Sequence, residues 1–202
     1  MVIVMKIKIC GLKRDEDIEY INKYPPDFIG FVFTESKRRI SREKACHLRR
    51  LIKADVQVVG VFADNEISMI KDLYNEKIID IAQLHGSESD KYIEKLKMET
   101  NIKIIKAVRF GVDDYITYSK YDKADFLLFD NSCGGTGKAF DWSQIKKTDK
   151  PFFLAGGVNI YNFEEASLYN PYCIDISSGA ETCGVKDADK IRKLVSIART
   201  LS

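Results

Sequence analysis

The sequence is poor in the residues that build metal sites and disulfide frameworks. Only 2 of its 202 residues are histidines, and its 5 cysteines are an odd number, irregularly spaced and without a Cys-x-x-Cys pair. So few histidines argue against a metal site, and cysteines of this kind are typical of proteins kept in a reducing compartment. We therefore expect no bound metal and a cytoplasmic location.

Long apolar runs and a charge of one sign are also missing. The apolar amino terminus is interrupted by Lys6 and Lys8, and no run approaches the roughly 20 residues that a membrane-spanning helix needs. Lysine and arginine number 32 against 30 acidic residues, a net charge of +2. This balance gives no reason to expect a nucleic acid or a membrane as partner.

The chain does contain a regular alternation of two kinds of segment. Short runs rich in Ile, Val and Phe, typical of buried strands, are separated by charged segments with helical periodicity. The runs are residues 4–10, 28–33, 56–62, 79–85, 102–108, 125–130, 151–155 and 172–178. Eight such units predict an α/β fold, a (β/α)8 barrel formed by residues 1–202 as a single domain. A doubly wound open sheet is the alternative.

Three of the charged segments predict amphipathic helices. Residues 65–76 place apolar side chains at i, i+3 and i+7, and residues 187–201 place them at i, i+3, i+4 and i+7. In the second, the face consists of Ile191, Leu194, Val195 and Ala198. Residues 87–98 begin with Ser87 and carry Asp90 three positions later, a spacing that predicts a capped helix start.

A glycine-rich loop, residues 134–137 with Gly135 in it, follows the strand that ends at Asp130. It is not a Walker A loop, because Ser132 and Ala139 stand where that motif needs Gly and Ser or Thr. A nucleotide site of this type is therefore not expected. The glycines can still let the backbone approach a smaller phosphorylated ligand closely.

Two further loops indicate a phosphate-binding site. Gly156 and Gly157 follow the seventh strand, and Ser178 and Gly179 follow the eighth. In many barrels the loops after these two strands hold a phosphate on backbone N–H groups. We predict such a site here; two tight turns are the structural alternative.

Alternation along the first strand places Lys6, Lys8 and Cys10 on one face and two isoleucines on the other. The isoleucines are expected to face the helices and Lys8 the barrel interior. A buried lysine needs a counter-charge, and Asp175 in the neighbouring eighth strand is the candidate. A cationic Lys8 is expected to lower the pKa of Cys10.

Two further side chains at strand ends are candidates for chemistry. Asp130 shares a strand face with Phe126 and Leu128, and a carboxyl group there can act as a general acid. His85 ends the fourth strand. The alternatives are structural: a helix cap or Asx turn for Asp130, a hydrogen-bonding histidine, and an inert packed thiol for Cys10.

In combination these stretches resemble the phosphoribosylanthranilate isomerase family of tryptophan biosynthesis. The resemblance rests on KICGL (8–12), DFIGFVFTESKRRIS (27–41), VGVF (59–62), QLHG (83–86), LLFD (127–130), GGTGKAFDW (134–142), AGGVN (155–159) and DISSGAE…GVKD (175–187). These pieces occur in the family's order along nearly the whole chain. One of them alone would be a weak signal, but the combination is specific.

The resemblance implies a (β/α)8 barrel without cofactor or metal, acting on a small phosphosugar. The reaction that the resemblance implies is an Amadori rearrangement of N-(5'-phosphoribosyl)anthranilate, with Asp130 expected as general acid and Cys10 as general base. Arg38 is implied to bind the anthranilate carboxylate, which suits a charge-assisted pair. His85 is implied to line the site. Monomer and homodimer are both compatible with the sequence.

Two other functions compete with this interpretation. Another phosphoribosyl barrel isomerase would be expected to carry paired aspartates, but the first strand ends in Cys10. A non-catalytic phosphosugar-binding barrel would keep the phosphate loops and need neither Cys10 nor Asp130. Because both residues are present, isomerase chemistry is favoured.

Overall fold

The computed structural model describes residues 5–110, 121–131, 142, 145 and 148–201. Eight parallel strands follow one another in chain order around a closed barrel. They are β1 Lys6–Cys10, β2 Phe28–Val32, β3 Gln57–Phe62, β4 Ile81–Leu84, β5 Lys103–Phe110, β6 Phe126–Asn131, β7 Phe152–Leu154 and β8 Cys173–Ile176. The predicted barrel is confirmed, and the open sheet is wrong because β1 pairs with β8.

Helices follow most of the strands in the described parts of the chain. They are α1 Asp15–Lys23, α2 Arg42–Leu51, α3 Ile67–Asn75, α4 Asp90–Glu99, α5 Phe163–Ser167 and α6 Ala188–Thr200. The apolar face predicted for α6 is confirmed, since all four of its residues are buried. None of the helices in the ranges given above is long and apolar enough to cross a membrane.

The predicted start of α4 is wrong by two residues. Ser89, not Ser87, is the N-cap, and its hydroxyl accepts a hydrogen bond from the Tyr92 N–H. Both serines fit the local capping pattern. A tertiary contact decides between them, because Ser87 donates through its backbone N–H and its hydroxyl to Asp64.

Apolar side chains pack on both sides of the barrel wall. Ile7 and Ile9 face the helices and belong to the large outer core, as their alternation predicted. Inside the barrel a smaller cluster that includes Phe28, Leu128 and Phe153 fills the space. Tight filling of this kind makes the barrel a packed core and leaves its carboxyl end for chemistry.

The chain after β8 forms a short turn and a hairpin beside the carboxyl end of the barrel. A short 3-10 turn, Ser178–Ala180, leads into a two-stranded antiparallel hairpin of β9 Glu181–Thr182 and β10 Val185–Lys186. The hairpin ends at Asp187, whose side chain accepts a hydrogen bond from the Lys190 N–H and caps α6. The hairpin thereby places Glu181 and Lys186 next to the site described below.

Candidate active site

Cys10 lies at the carboxyl end of β1, buried with 8% of its surface exposed. It packs against Val32 and Val61. The neighbouring position on β2 must be glycine, because a Cβ atom on Gly30 would lie 2.6 Å from the Cys10 Sγ atom. The Ser177 hydroxyl donates to the Cys10 carbonyl oxygen at 3.2 Å. Side chains of β2 and β3 therefore enclose the thiol, and the loop after β8 holds the backbone of Cys10.

Lys8 does act to lower the pKa of Cys10, as predicted, but this effect does not decide the net shift. Burial raises the pKa of the thiol above its ordinary value, although the charges on Lys8 and Lys186 act the other way. A thiolate in this apolar setting loses more hydration than the two cations replace. In the free protein this balance therefore favours the thiol form of Cys10 over the thiolate.

The predicted partner of Lys8 is confirmed. The Lys8 Nζ atom, fully buried, lies 2.8 Å from the Asp175 Oδ2 atom, and the two residues face each other in the β1–β8 register. Burial pulls the pKa of Lys8 down, but the attraction of Asp175 and Cys10 prevails and raises it. Lys8 is therefore an ammonium group.

A second acceptor for Lys8 comes from across the barrel. The Gln83 Oε1 atom accepts a hydrogen bond from Lys8 Nζ at 2.9 Å. The Gln83 Nε2 atom lies 3.1 Å from His85 Nδ1, and His85 Nε2 lies 3.4 Å from the Asp130 Oδ2 atom. We call the chain of side chains from Asp175 through Lys8, Gln83 and His85 to Asp130 the polar relay.

The loop that carries His85 is fixed by another buried ion pair. Lys106 Nζ lies 2.9 Å from Glu88 Oε2 and also donates to the Gly86 carbonyl oxygen at 2.6 Å. The other Glu88 oxygen accepts the Asp64 N–H at 2.8 Å. These contacts hold the turn immediately after His85, so the imidazole position is set by β4 on one side and by this pair on the other.

Arg38 is held in a buried cluster with Glu181 and Lys186. Its Nε and Nη2 atoms donate to the two Glu181 oxygens at 2.7 and 2.9 Å. Lys186 Nζ donates to Glu181 Oε1 at 2.7 Å and to the Ser177 carbonyl oxygen at 2.9 Å. Burial opposes ionisation of Glu181, but the bonds from the two cations prevail and lower its pKa to about 2. The neighbouring Arg39 instead pairs with Glu35 at the surface.

The loops after β7 and β8 touch each other. Gly156 and Gly157 have φ angles of 86° and 81°, a region that glycine adopts without strain. A Cβ atom on Gly179 would lie 2.0 Å from the Val158 carbonyl oxygen. The structure therefore brings Gly179 against Val158, which directly follows Gly156 and Gly157, so the two loops adjoin as the phosphate prediction requires.

One predicted site residue, Gly135, lies outside the described residues. The others are distributed around the carboxyl end of the barrel. No group of three or more His, Cys, Asp and Glu side chains in the described ranges is arranged to hold a metal ion.

Sequence reasoning missed Gln83, Glu181 and Lys186. Gln83 had a signal, because a polar residue on the inward face of a short apolar strand needs a partner. Glu181 and Lys186 lie in a hairpin of two-residue strands, which has no periodic signature.

Comparisons with known proteins agree with this geometry. Residues 7–197 match the family described as N-(5'phosphoribosyl)anthranilate (PRA) isomerase. A protein of Endomicrobium trichonymphae called N-(5'-phosphoribosyl)anthranilate isomerase is 49% identical, over 97% of this chain and 99% of its own length.

Solved structures give the same result. A phosphoribosyl anthranilate isomerase from Thermus thermophilus has a TM-score of 0.87 and 32% identity, covering 98% of this chain and 100% of its own. A second has a TM-score of 0.79 and 30% identity at the same coverage; it is described in complex with reduced 1-(o-carboxyphenylamino)-1-deoxyribulose 5-phosphate. The chain therefore belongs to the N-(5'-phosphoribosyl)anthranilate isomerase family.

Proposed function

We propose that this chain, as one domain, isomerises N-(5'-phosphoribosyl)anthranilate to 1-(2-carboxyphenylamino)-1-deoxyribulose 5-phosphate in cytoplasmic tryptophan biosynthesis. The reaction is an intramolecular oxidoreduction of the aldose–ketose type. One observation carries the proposal beyond family membership. The barrel presents a thiol on β1 and a carboxyl group on β6, three strands apart around the closed wall, so an acid and a base can reach one ligand from two sides.

Asp130 acts first, as the general acid. It gives its proton to the furanose ring oxygen, the bond from that oxygen to C1 breaks, and the anthranilate nitrogen supplies the electron pair that forms a Schiff base. The Asp130 Oδ2 atom lies 3.4 Å from His85 Nε2. An N–H donor at that position favours the carboxylate that forms as the proton leaves.

Cys10 then acts as the general base. Its thiolate takes the proton from C2, the electron pair moves to the Schiff-base nitrogen, and the resulting enolamine tautomerises to the ketone. Lys8 and Lys186 both lower the pKa of Cys10 and so support the thiolate against the effect of burial. Positioned acid–base groups of this kind contribute about 10²- to 10⁴-fold to rate.

Arg38 binds the anthranilate carboxylate in this proposal. Glu181 occupies the Nε and Nη2 edge of the guanidinium, and the opposite edge has no partner among the residues that the structure describes. A guanidinium fixed on one side presents its remaining N–H donors in a defined plane, which suits a carboxylate. The phosphate is bound by backbone N–H groups of the loops at Gly156, Gly157, Ser178 and Gly179.

The test measures turnover of the substrate. A coupling transferase makes the substrate in situ from anthranilate and phosphoribosyl pyrophosphate, and its consumption is monitored as a loss of its fluorescence. Cys10→Ala and Asp130→Asn are each expected to lower kcat by about 10²- to 10⁴-fold while retaining affinity for a reduced product analogue. The matched controls are Cys183→Ala, at an exposed thiol, and Asp149→Asn, at an exposed carboxylate.

Two results would contradict the proposal. If the wild-type protein binds sugar phosphates without turnover, the isomerase function is wrong. If it turns over but either substituted protein keeps the wild-type kcat, the acid–base assignment is wrong for that residue.

A further inference from the structure

The polar relay contains one residue whose chemistry sets the direction of the hydrogen bonds. Lys8 is an ammonium group and can only donate. It lies between two acceptors, Asp175 Oδ2 at 2.8 Å and Gln83 Oε1 at 2.9 Å. The side-chain oxygen of Gln83 must therefore point toward Lys8, because the reversed amide would bring its NH2 group against the ammonium.

The orientation of Gln83 fixes what it offers to His85. With its oxygen toward Lys8, the amide presents its NH2 group to His85 Nδ1 at 3.1 Å. A nitrogen that faces a donor must be an acceptor, so His85 Nδ1 carries no proton. In a neutral imidazole the proton is then on Nε2, the atom that lies 3.4 Å from Asp130 Oδ2.

We propose that Gln83 is a positioning residue for the reaction: held by Lys8, it fixes His85 in the Nε2–H tautomer, which directs an N–H donor at the Asp130 carboxyl group. This inference rests on the proposed function, since it assigns His85 to the support of the acid in that reaction. The opposite tautomer would turn a lone pair toward Asp130 and oppose the negative charge that develops there.

Burial makes the arrangement rigid. Gln83 is 2% exposed and Lys8 is fully buried, so water does not compete for the amide. The separation of 3.4 Å from His85 to Asp130 is longer than a usual hydrogen bond. Catalytic hydrogen bonds are often long in free enzymes and shorten when substrate binds. The relay therefore supplies orientation before substrate arrives.

A long-range ¹H–¹⁵N spectrum of the wild-type protein at neutral pH tests the tautomer directly. The chain has 2 histidines, and the variant His47→Gln, at an exposed position, assigns the signals. We expect an unprotonated Nδ1 and a protonated Nε2 for His85. A protonated Nδ1, an imidazolium or an equal mixture of tautomers would overturn the proposal. This result does not depend on enzymatic activity.

The variant Gln83→Glu tests the consequence. A carboxylate keeps an acceptor for Lys8 at nearly the same size but also accepts from the imidazole, so His85 should change to a protonated Nδ1. We expect kcat to fall about 10- to 100-fold, the range known for partners that orient metal-binding histidines, with KM little changed. The control Gln57→Glu makes the same chemical change at an exposed position.

The outcomes separate this proposal from the proposed function. A Gln83→Glu protein with the changed tautomer and an unchanged kcat would refute the catalytic role of the relay. Inactive wild-type protein with the expected His85 spectrum would refute the isomerase function and leave the tautomer assignment in place. If the variant does not fold, the wild-type spectrum alone still decides the tautomer.

Discussion

Replacing Glu181 by glutamine should destabilise the protein strongly. Glu181 is 9% exposed and is the anion between two largely buried cations, Arg38 and Lys186. Glutamine has nearly the same shape but no charge. It would leave the two cations close together without a counter-charge, and breaking a buried ion pair in this way usually costs about 3–5 kcal/mol.

The pKa of Glu181 gives a second, independent magnitude. It falls from 4.5 to about 2 on folding, and a tenfold change in acidity corresponds to about 1.4 kcal/mol, so ionised Glu181 contributes about 3 kcal/mol. Because the folded pKa lies below the unfolded one, this stability is fully present above about pH 4.5 and is lost as the pH falls toward 2. The two magnitudes agree.

Urea unfolding at pH 7 and at several values down to pH 4 measures the effect. With a slope near 3 kcal/mol/M, the midpoint of Glu181→Gln should lie about 1 M below that of wild type at pH 7. The difference should begin to shrink as the pH falls below 4.5. Glu19→Gln, an exposed position on α1, is the control and should change the midpoint little. A Glu181→Gln midpoint within 0.2 M of wild type, which is about a fifth of the expected change, would refute the reasoning.

Three further predictions follow from the same structure. Lys8→Met should lower the free energy of unfolding by about 3–5 kcal/mol, measured in urea, because Asp175 is left buried without its counter-charge; an unchanged midpoint would contradict the buried pair. Gly179→Ala should cost about 1–3 kcal/mol through overpacking and should weaken binding of ribulose 5-phosphate in calorimetry; unchanged affinity would argue against this loop as the phosphate site. Since burial raises the pKa of Cys10, iodoacetamide at pH 7 should alkylate it more slowly than the exposed Cys183, with the rate rising toward alkaline pH; mass spectrometry that finds the reverse order would contradict this.

The barrel and one of its buried ion pairs were predictable because they follow from simple geometry. Strand alternation places Lys8 inside the barrel, and closure of eight parallel strands makes β1 and β8 neighbours, so Asp175 was the expected partner. Both steps use only the period of a strand and the order of the units. The positions of Cys10, Asp130 and His85 at the carboxyl end follow from the same argument.

Other features depend on distances that the sequence does not contain. The pKa of Cys10 is decided by competition between burial and two cations, and the outcome depends on how tightly the thiol is enclosed. Glu181 reaches Arg38 across 143 positions of sequence through a hairpin with no pattern of its own. The start of α4 was misplaced because Asp64, distant in sequence, binds Ser87. Gly135 lies outside the described residues, so its role stays a prediction.

The contact between Lys8 and Asp175 also bears on the synthesis of the protein. The two residues are 167 positions apart, so β8 is synthesised long after β1. Because translation adds about 5–20 residues per second, Asp175 is synthesised about 8 to 33 s after Lys8. During that time β1 can pair with β2 but not with β8, and an ammonium group without its counter-charge is more stable in water than in a closed interior. The barrel therefore cannot close before β8 has been made, and a truncated product that stops before β8 would leave Lys8 without its counter-charge and β1 open to proteases.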